Sequence, residues 1–172
     1  PSFGTVKALV ENVGEVDIAS TREERYPRKG HLPEVYNIGC PLEEDLKRRD
    51  FLINTICMDS NGKIIDLLDG EKDLNNKEIN TVGNSYEKFY EDSLRILRAI
   101  RFATILDFKL SDKVKEAIKN TKSNLVHLSY QRKKEELDKM KPYFINTILE
   151  DINLENSYFP VYYNAWLYDN HT

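Results

Sequence analysis

Residues 86–106 read YEKFYEDSLRILRAIRFATIL, without a glycine or proline. Apolar residues recur there at helical spacing, so the stretch predicts one continuous helix. At 100° per residue, Glu91, Asp92, Arg95 and Arg98 share an arc of about 120°. Ile96, Leu97 and Ile100 share another, and Arg101 continues the charged ridge. One helix would thus carry an apolar face and a face pairing acids with arginines. As a solvated surface, such i,i+3 and i,i+4 pairs are worth about 0.2–0.5 kcal/mol each. As a recognition surface, an Asp and an Arg side by side present a fixed set of acceptors and donors. That set can hydrogen-bond the edge of a nucleobase, with further arginines left to hold phosphates.

Upstream of this helix the chain is strand-rich. GTVKALV (4–10) and EVDIA (15–19) read as two short strands around an Asn12/Gly14 turn. Residues 20–41 are polar, carry Pro27, Gly30, Pro33 and Pro41, and read as a loop. LEEDLKRR (42–49) reads as a short helix. Phe51 to Met58 and Lys63 to Leu67 flank Asp59-Ser60-Asn61-Gly62, an Asn-Gly hairpin signal. Downstream, Ser111 and Ser129 are N-caps for helices over 112–121 and beyond 129. Strands followed by helices predict an α+β architecture.

Two further groupings carry chemistry. Arg48-Arg49-Asp50-Phe51, followed by Asn54, reads either as surface charge or as a binder of ribose and triphosphate. Asp17 lies inside the apolar strand Val16-Asp17-Ile18-Ala19. It either faces solvent or serves as a metal ligand, because phosphoryl-transfer sites mount carboxylates on strands to hold Mg²⁺.

Composition limits the partners. Of 172 residues, 25 are Lys or Arg and 29 are Asp or Glu, a net charge of −4. That excludes polyanion binding driven by bulk charge and leaves only a local basic groove. No apolar run is long enough to span a membrane, and no membrane partner is expected. Cys40 and Cys57 match no metal spacing and read as free thiols of a cytoplasmic protein. His31, His127 and His171 are scattered and suggest no metal site. The start, Pro1-Ser2-Phe3-Gly4, shows no signal peptide and reads as a cut through a larger protein.

Five ordered blocks resemble one family: FGTV (3–6), DIASTREERYPRKGHLPEV (17–35), EEDLKRRDFLIN (43–54), GKIIDLLDGEKDL (62–74) and EDSLRILRAIRF (91–102). LSYQRKKEEL (128–137) is similar to the helical motif that follows in that family. The family is the class II tRNA nucleotidyltransferases, the CCA-adding enzymes with their bacterial poly(A) polymerase relatives. The resemblance implies a partial nucleotidyltransferase head or palm over 1–84, with antiparallel strands and a hairpin. A helical, nucleotide-selecting neck over 85–140 would follow.

The resemblance also implies roles. Asp17 would support the metal-binding carboxylates of the palm. Arg49, Asp50 and Asn54 would contact the incoming nucleotide and its ribose. Asp66 and the Asp69-Gly70 turn would form a flexible motif between head and neck. Asp92 and Arg95 would pair with cytosine or adenine, Arg98 and Arg101 would lie near the triphosphate, and Arg132 and Glu136 would steady the template helix. The implied reaction is attack of a tRNA or other RNA 3′-hydroxyl on the α-phosphate of CTP or ATP with Mg²⁺, releasing pyrophosphate. AMP addition of the poly(A) type and a non-catalytic nucleotide- or RNA-binding remnant are the alternatives.

The family's Gly-rich loop and Asp-x-Asp pair do not occur here, so the chain is expected to be an N-terminally truncated fragment without transferase activity of its own. Residues 141–172 depart from the pattern. There SYFPVYYNAW (157–166) reads as an aromatic strand, and PVYYNAWLYD is similar to a segment of KAP-type P-loop NTPases.

Overall fold

The structure, a computed structural model, describes residues 4–28 and 32–140. The expectations for residues 141–172, an aromatic strand and a P-loop NTPase segment, lie outside the described residues. The architecture is α+β, with short two-stranded ladders leading into a helical half.

Strands β1 (Thr5–Val10) and β2 (Gly14–Ala19) form the expected antiparallel hairpin, in register from Thr5↔Ala19 to Val10↔Gly14. Its turn uses left-handed backbone at Asn12 (φ 62°) and positive φ at Gly14 (100°), which these two residue types tolerate best. Strands β3 (Arg22–Arg25) and β4 (Glu34–Ile38) also pair antiparallel, where the sequence predicts a loop. These segments lack a clean apolar alternation, so periodicity does not reveal them. Polar cross-strand pairs hold them instead. Arg25 Nε donates to Glu34 (3.1 Å) and Asn37 Nδ2 to Glu23 (2.6 Å). The amide of Arg22 donates to Asp45 Oδ1 at 3.0 Å, tying the ladder to the next helix.

That helix, α1 (Leu42–Arg48), sits where the sequence places it. Glu43, Glu44 and Asp45 lie in its first turn, and Lys47 and Arg48 in its last, the order that complements the helix dipole. A single 3-10 turn, Leu52–Asn54, follows. The expected second hairpin then forms from β5 (Cys57–Met58) and β6 (Ile64–Ile65), shorter than the apolar runs suggest. Its turn is clamped by the Asp59 carboxylate, which accepts from the amides of Asn61 (2.8 Å) and Lys63 (2.9 Å).

Helix α2 (Gly70–Asn76) was not legible in the pattern. The Asp66 carboxylate, expected in a flexible motif, caps it by accepting from the amides of Gly70 (2.9 Å) and Glu71 (2.8 Å). Strand β7 (Glu78–Ile79) pairs with a later strand, β8 (Lys109–Leu110). This ladder is parallel, in addition to the expected antiparallel ladders, because two helices intervene and return the chain in the same direction.

The predicted single helix over 86–106 is two helices, α3 (Ser85–Glu91) and α4 (Leu94–Leu106). The chain is extended at Asp92 (φ −142°, ψ 102°). Side chains at the junction are committed elsewhere: Asp92 Oδ1 accepts from the amide of Leu94 (3.1 Å), and Ser93 Oγ donates to Asn124 O (3.1 Å). Apolar periodicity survives on each side of such a break, which is why it does not report it. Helices α5 (Asp112–Thr121) and α6 (Tyr130–Asp138) begin at the expected caps, the Ser111 and Ser129 hydroxyls accepting from Val114 and Arg132. Between them lies a 3-10 segment, Lys122–His127.

The core is centred on α4. Ile96, Leu97, Ala99 and Ile100 are fully or almost fully buried together with Phe51, Phe89, Ile118 and Leu137. Each such large side chain contributes about 1.5–3 kcal/mol on leaving water. Phe51 also meets Phe102 edge-on, 5.7 Å between centroids. The segment just after Arg49-Asp50 is therefore anchored in the helical half. Among the described residues no helix is long and apolar enough to cross a membrane.

Gly70 packs on the turn that follows Asp50. A Cβ there would lie 2.3 Å from the carbonyl oxygen of Leu52 and 2.9 Å from Ile56 Cγ1. Gly70→Ala is expected to destabilise the fold by about 1–3 kcal/mol, since backbone has to shift. Thermal denaturation checks this; an unchanged melting temperature would show that the contact relaxes freely.

Candidate functional site

A cavity of about 530 Å³ opens between the end of β3, the end of α1, the Leu52–Asn54 turn and the start of α4. Its wall includes Arg49, Asp50, Asn54, Asp92, Arg95 and Arg98, residues drawn from two separated sequence blocks. Glu24, Tyr26, Arg48, Leu94 and Phe102 complete it. Four arginines face three carboxylates around this volume.

Asp50 is the junction of the two halves. Its Oδ2 accepts from Arg98 Nε at 2.6 Å, and its Oδ1 from Asn54 Nδ2 and the amide of Phe51, both at 2.9 Å. Burial works to raise its pKa. The charge of Arg98 and the hydrogen bonds from Asn54, Arg98 and Phe51 prevail, holding the carboxyl below its ordinary value. The Asp50 backbone is fixed as well, its carbonyl accepting from the amide of Val82 at 3.0 Å.

Arg49 is spread between Asp45 Oδ2 (3.0 Å) and the carbonyl of Asn54 (2.8 Å). Asp45 is buried and also accepts from Arg48 Nη2 at 2.7 Å. Burial would raise this carboxyl too, but hydrogen bonds from Arg48, the Arg22 amide and Arg49 keep it lowered and charged. Asp45 thus aims two arginines from one helix end. Its signal was present as the i,i+3 and i,i+4 spacing of Asp45, Arg48 and Arg49, hidden in an ordinary run of alternating charge.

The first residues of α4 form the opposite wall. Arg95 is buried; its Nη1 donates to Glu91 Oε2 (2.7 Å) and to the carbonyl of Lys88 (3.0 Å) at the end of α3. Asp92 is held by Arg132 Nη2 at 2.7 Å. The acid–arginine face expected of one straight helix is therefore rearranged: Arg95 pairs with Glu91 across the break, and Asp92 pairs with α6. Arg101 and Glu136 lie behind the wall. Arg101 Nε donates to Glu136 Oε2 at 2.6 Å, and its guanidinium covers the Phe102 ring at 4.3 Å. Glu136 also accepts from Lys139 at 3.0 Å. Its carboxyl stays low because these partners outweigh burial.

Asp17 stands apart, exposed on β2 opposite Lys7, and does not line the cavity. Among the described residues no group of three or more His, Cys, Asp or Glu could hold a metal ion. Asp17 therefore belongs to no such group.

Comparison with known proteins supplies the class first: residues 1–80 match the family described as the poly(A) polymerase head domain. A CCA-adding enzyme of Enterococcus faecalis is 43% identical over 129 residues, which cover 75% of this chain and 32% of that protein. A CCA-adding enzyme of Bacillus subtilis is 50% identical over 99 residues, covering 58% and 25%. The crystal structure of the Bacillus stearothermophilus CCA-adding enzyme in complex with CTP superposes with a TM-score of 0.78 at 31% identity, covering 93% of this chain and 39% of that one. The chain belongs to the family of class II CCA-adding enzymes and bacterial poly(A) polymerases. It spans about a quarter to a third of the length of these curated relatives.

One lysine beside the site titrates within reach of experiment. Lys88 is lowered to about 8, by burial first and by the nearby Arg95 charge second, while its Nζ donates to the carbonyl of Lys47 at 2.8 Å. Between that value and the unperturbed 10.5 the unfolded chain binds the additional proton, so stability rises with pH there. Tyr26, raised to about 12 mainly by burial, opposes this only above pH 10. Denaturant midpoints between roughly pH 8 and 10 are expected to climb in the unmodified chain and to flatten in Lys88→Met; parallel curves would assign the climb elsewhere.

Proposed function

We propose that this chain is the nucleotide-selecting portion of an RNA nucleotidyltransferase that adds CMP and AMP to the 3′ end of tRNA. The observation that carries the reading is one cavity lined by Arg49, Asp50 and Asn54 from one block and Asp92, Arg95 and Arg98 from another. A volume of about 530 Å³ suits a nucleotide-sized ligand. Buried carboxylates fix the arginines before any ligand arrives, so ordering costs less at binding.

In this reading residues 1–84 belong to the head and 85–140 to the neck. Asp92 and Arg95 read the base edge, Arg49 and Asn54 hold the ribose end, and Arg98 faces the triphosphate with Arg101 behind it. Arg132 and Glu136 brace α4. The RNA 3′-oxygen bonds to the α-phosphorus of CTP or ATP as the bond to the β-phosphate oxygen breaks and pyrophosphate leaves. We assign Mg²⁺ to the whole enzyme, with Asp17 in a supporting place, and the cytoplasm as its location; Cys40 and Cys57 are free thiols.

A second reading is a nucleotide-binding module without transferase activity; in its favour, no group of three or more His, Cys, Asp or Glu that could hold a metal ion occurs among the described residues. Titration with CTP and ATP is expected to show binding that Arg49→Ala or Asp92→Ala weakens about tenfold or more. Incubation with tRNA, both nucleotides and Mg²⁺ is expected to leave the RNA unextended. Equal binding by the variants would overturn the site. Extension would overturn the module reading, and addition from ATP alone would point to poly(A)-type activity.

A further inference from the structure

We propose that Tyr26 is a positioning residue for base selection, acting by fixing the guanidinium of Arg95. This rests on the reading of Arg95 as a base-contacting residue. Tyr26 directly follows β3 in the segment that the sequence presents as a loop, and its ring lies under Arg95, 4.9 Å from the guanidinium carbon to the ring centroid. Its hydroxyl accepts from Arg95 Nη2 at 3.0 Å and points its own proton to Glu24 Oε2 at 3.4 Å. Glu24 is in turn held at 2.6 Å by Arg22 and at 3.3 Å by Arg48.

The donor inventory of Arg95 shows what this contact decides. A guanidinium has five N–H groups in a rigid fork. Nη1 uses both of its hydrogens on Glu91 and the Lys88 carbonyl. Nη2 uses its own on the Tyr26 hydroxyl and, at 3.3 Å, on the Arg48 carbonyl. The Nε–H is the one donor of the fork without a partner among the described residues, and Arg95 lines the cavity; in this proposal it is the donor offered to a ligand. With the far end of the fork tied to β3, α1 and α3, and the plane set by the Tyr26 face, the orientation of that last donor is determined by the protein. Discrimination between bases by hydrogen bonding depends on such orientation, because a donor free to swing accommodates a wrong acceptor pattern. The ring supplies cation–π attraction and the hydroxyl supplies direction, so the two contributions are separable by substitution.

The test is titration of the 172-residue chain with CTP, ATP, GTP and UTP, together with thermal melting, for the unmodified protein, Tyr26→Phe, Tyr26→Leu and Arg95→Ala. Tyr26→Phe is expected to melt close to the unmodified chain while its preference for CTP and ATP over UTP and GTP falls about tenfold. Tyr26→Leu, which removes the ring as well, is expected to lose more of the preference. A support role without orientation would lower the melting temperature and leave the nucleotide preference intact. Full preference in both Tyr26 variants, with loss in Arg95→Ala, would overturn the role of Tyr26 and leave base reading by Arg95 standing. Full preference in Arg95→Ala, or equal binding of all four nucleotides by the unmodified chain, would overturn both.

Discussion

The contact between Asp50 and Arg98 joins residues 48 positions apart at 2.6 Å and ties together two walls of the cavity. Phe51, next to Asp50, is fully buried in the helical core. Asp50 itself is nearly buried and negative, so leaving it unpaired there would be strongly unfavourable. Arg98 removes that penalty from α4, while Asn54 and the Phe51 amide satisfy the other oxygen. The segment bearing Arg49 and Asn54 therefore docks in one orientation against α4, which bears Arg95 and begins just after the break at Asp92.

The same rule runs through the site: each arginine of the wall is held by a carboxylate. Asp45 orients Arg48 and Arg49, Glu91 orients Arg95, and Glu136 orients Arg101 from behind. Such pairs add little net stability once desolvation is counted, but removing one partner leaves a buried charge. Their larger effect is geometric. Guanidinium forks fixed in advance lose less freedom on meeting phosphate or a base edge than mobile lysines would.

The break at Asp92 gives the same principle a backbone form. A continuous helix would have carried Asp92 past the cavity as one more residue on a charged stripe. Instead its carboxylate stabilises the first turn of α4 and accepts from Arg132 of α6, while Ser93 is tied to Asn124. Three helices thereby fix one short extended segment at the cavity rim. Tyr26 reaches Arg95 from the other side, so both members of the acid–arginine set are immobilised by distant parts of the chain.

Local signals in the sequence determined the α+β class, the first hairpin, helix α1, the Asn-Gly hairpin and the Ser111 and Ser129 caps. Each depends on residues within a few positions: turn chemistry, dipole-matched charge, a hydroxyl three residues from an amide. Ordered blocks also marked Arg49, Asp50, Asn54, Asp92, Arg95 and Arg98 as chemically relevant. The polar β3–β4 ladder, the parallel β7–β8 pairing, the break in the long helix and the engagement of Tyr26 with Arg95 came only with tertiary structure. Those features arise from partners tens of residues away, and a pattern that repeats every two or 3.6 residues holds no information about which distant charge will neutralise which. The net charge of −4 is similarly silent about the site. Folding, by pairing the buried carboxylates Asp45, Asp50, Asp92 and Glu136 with chosen arginines, decides where the positive charge ends up and which way it points.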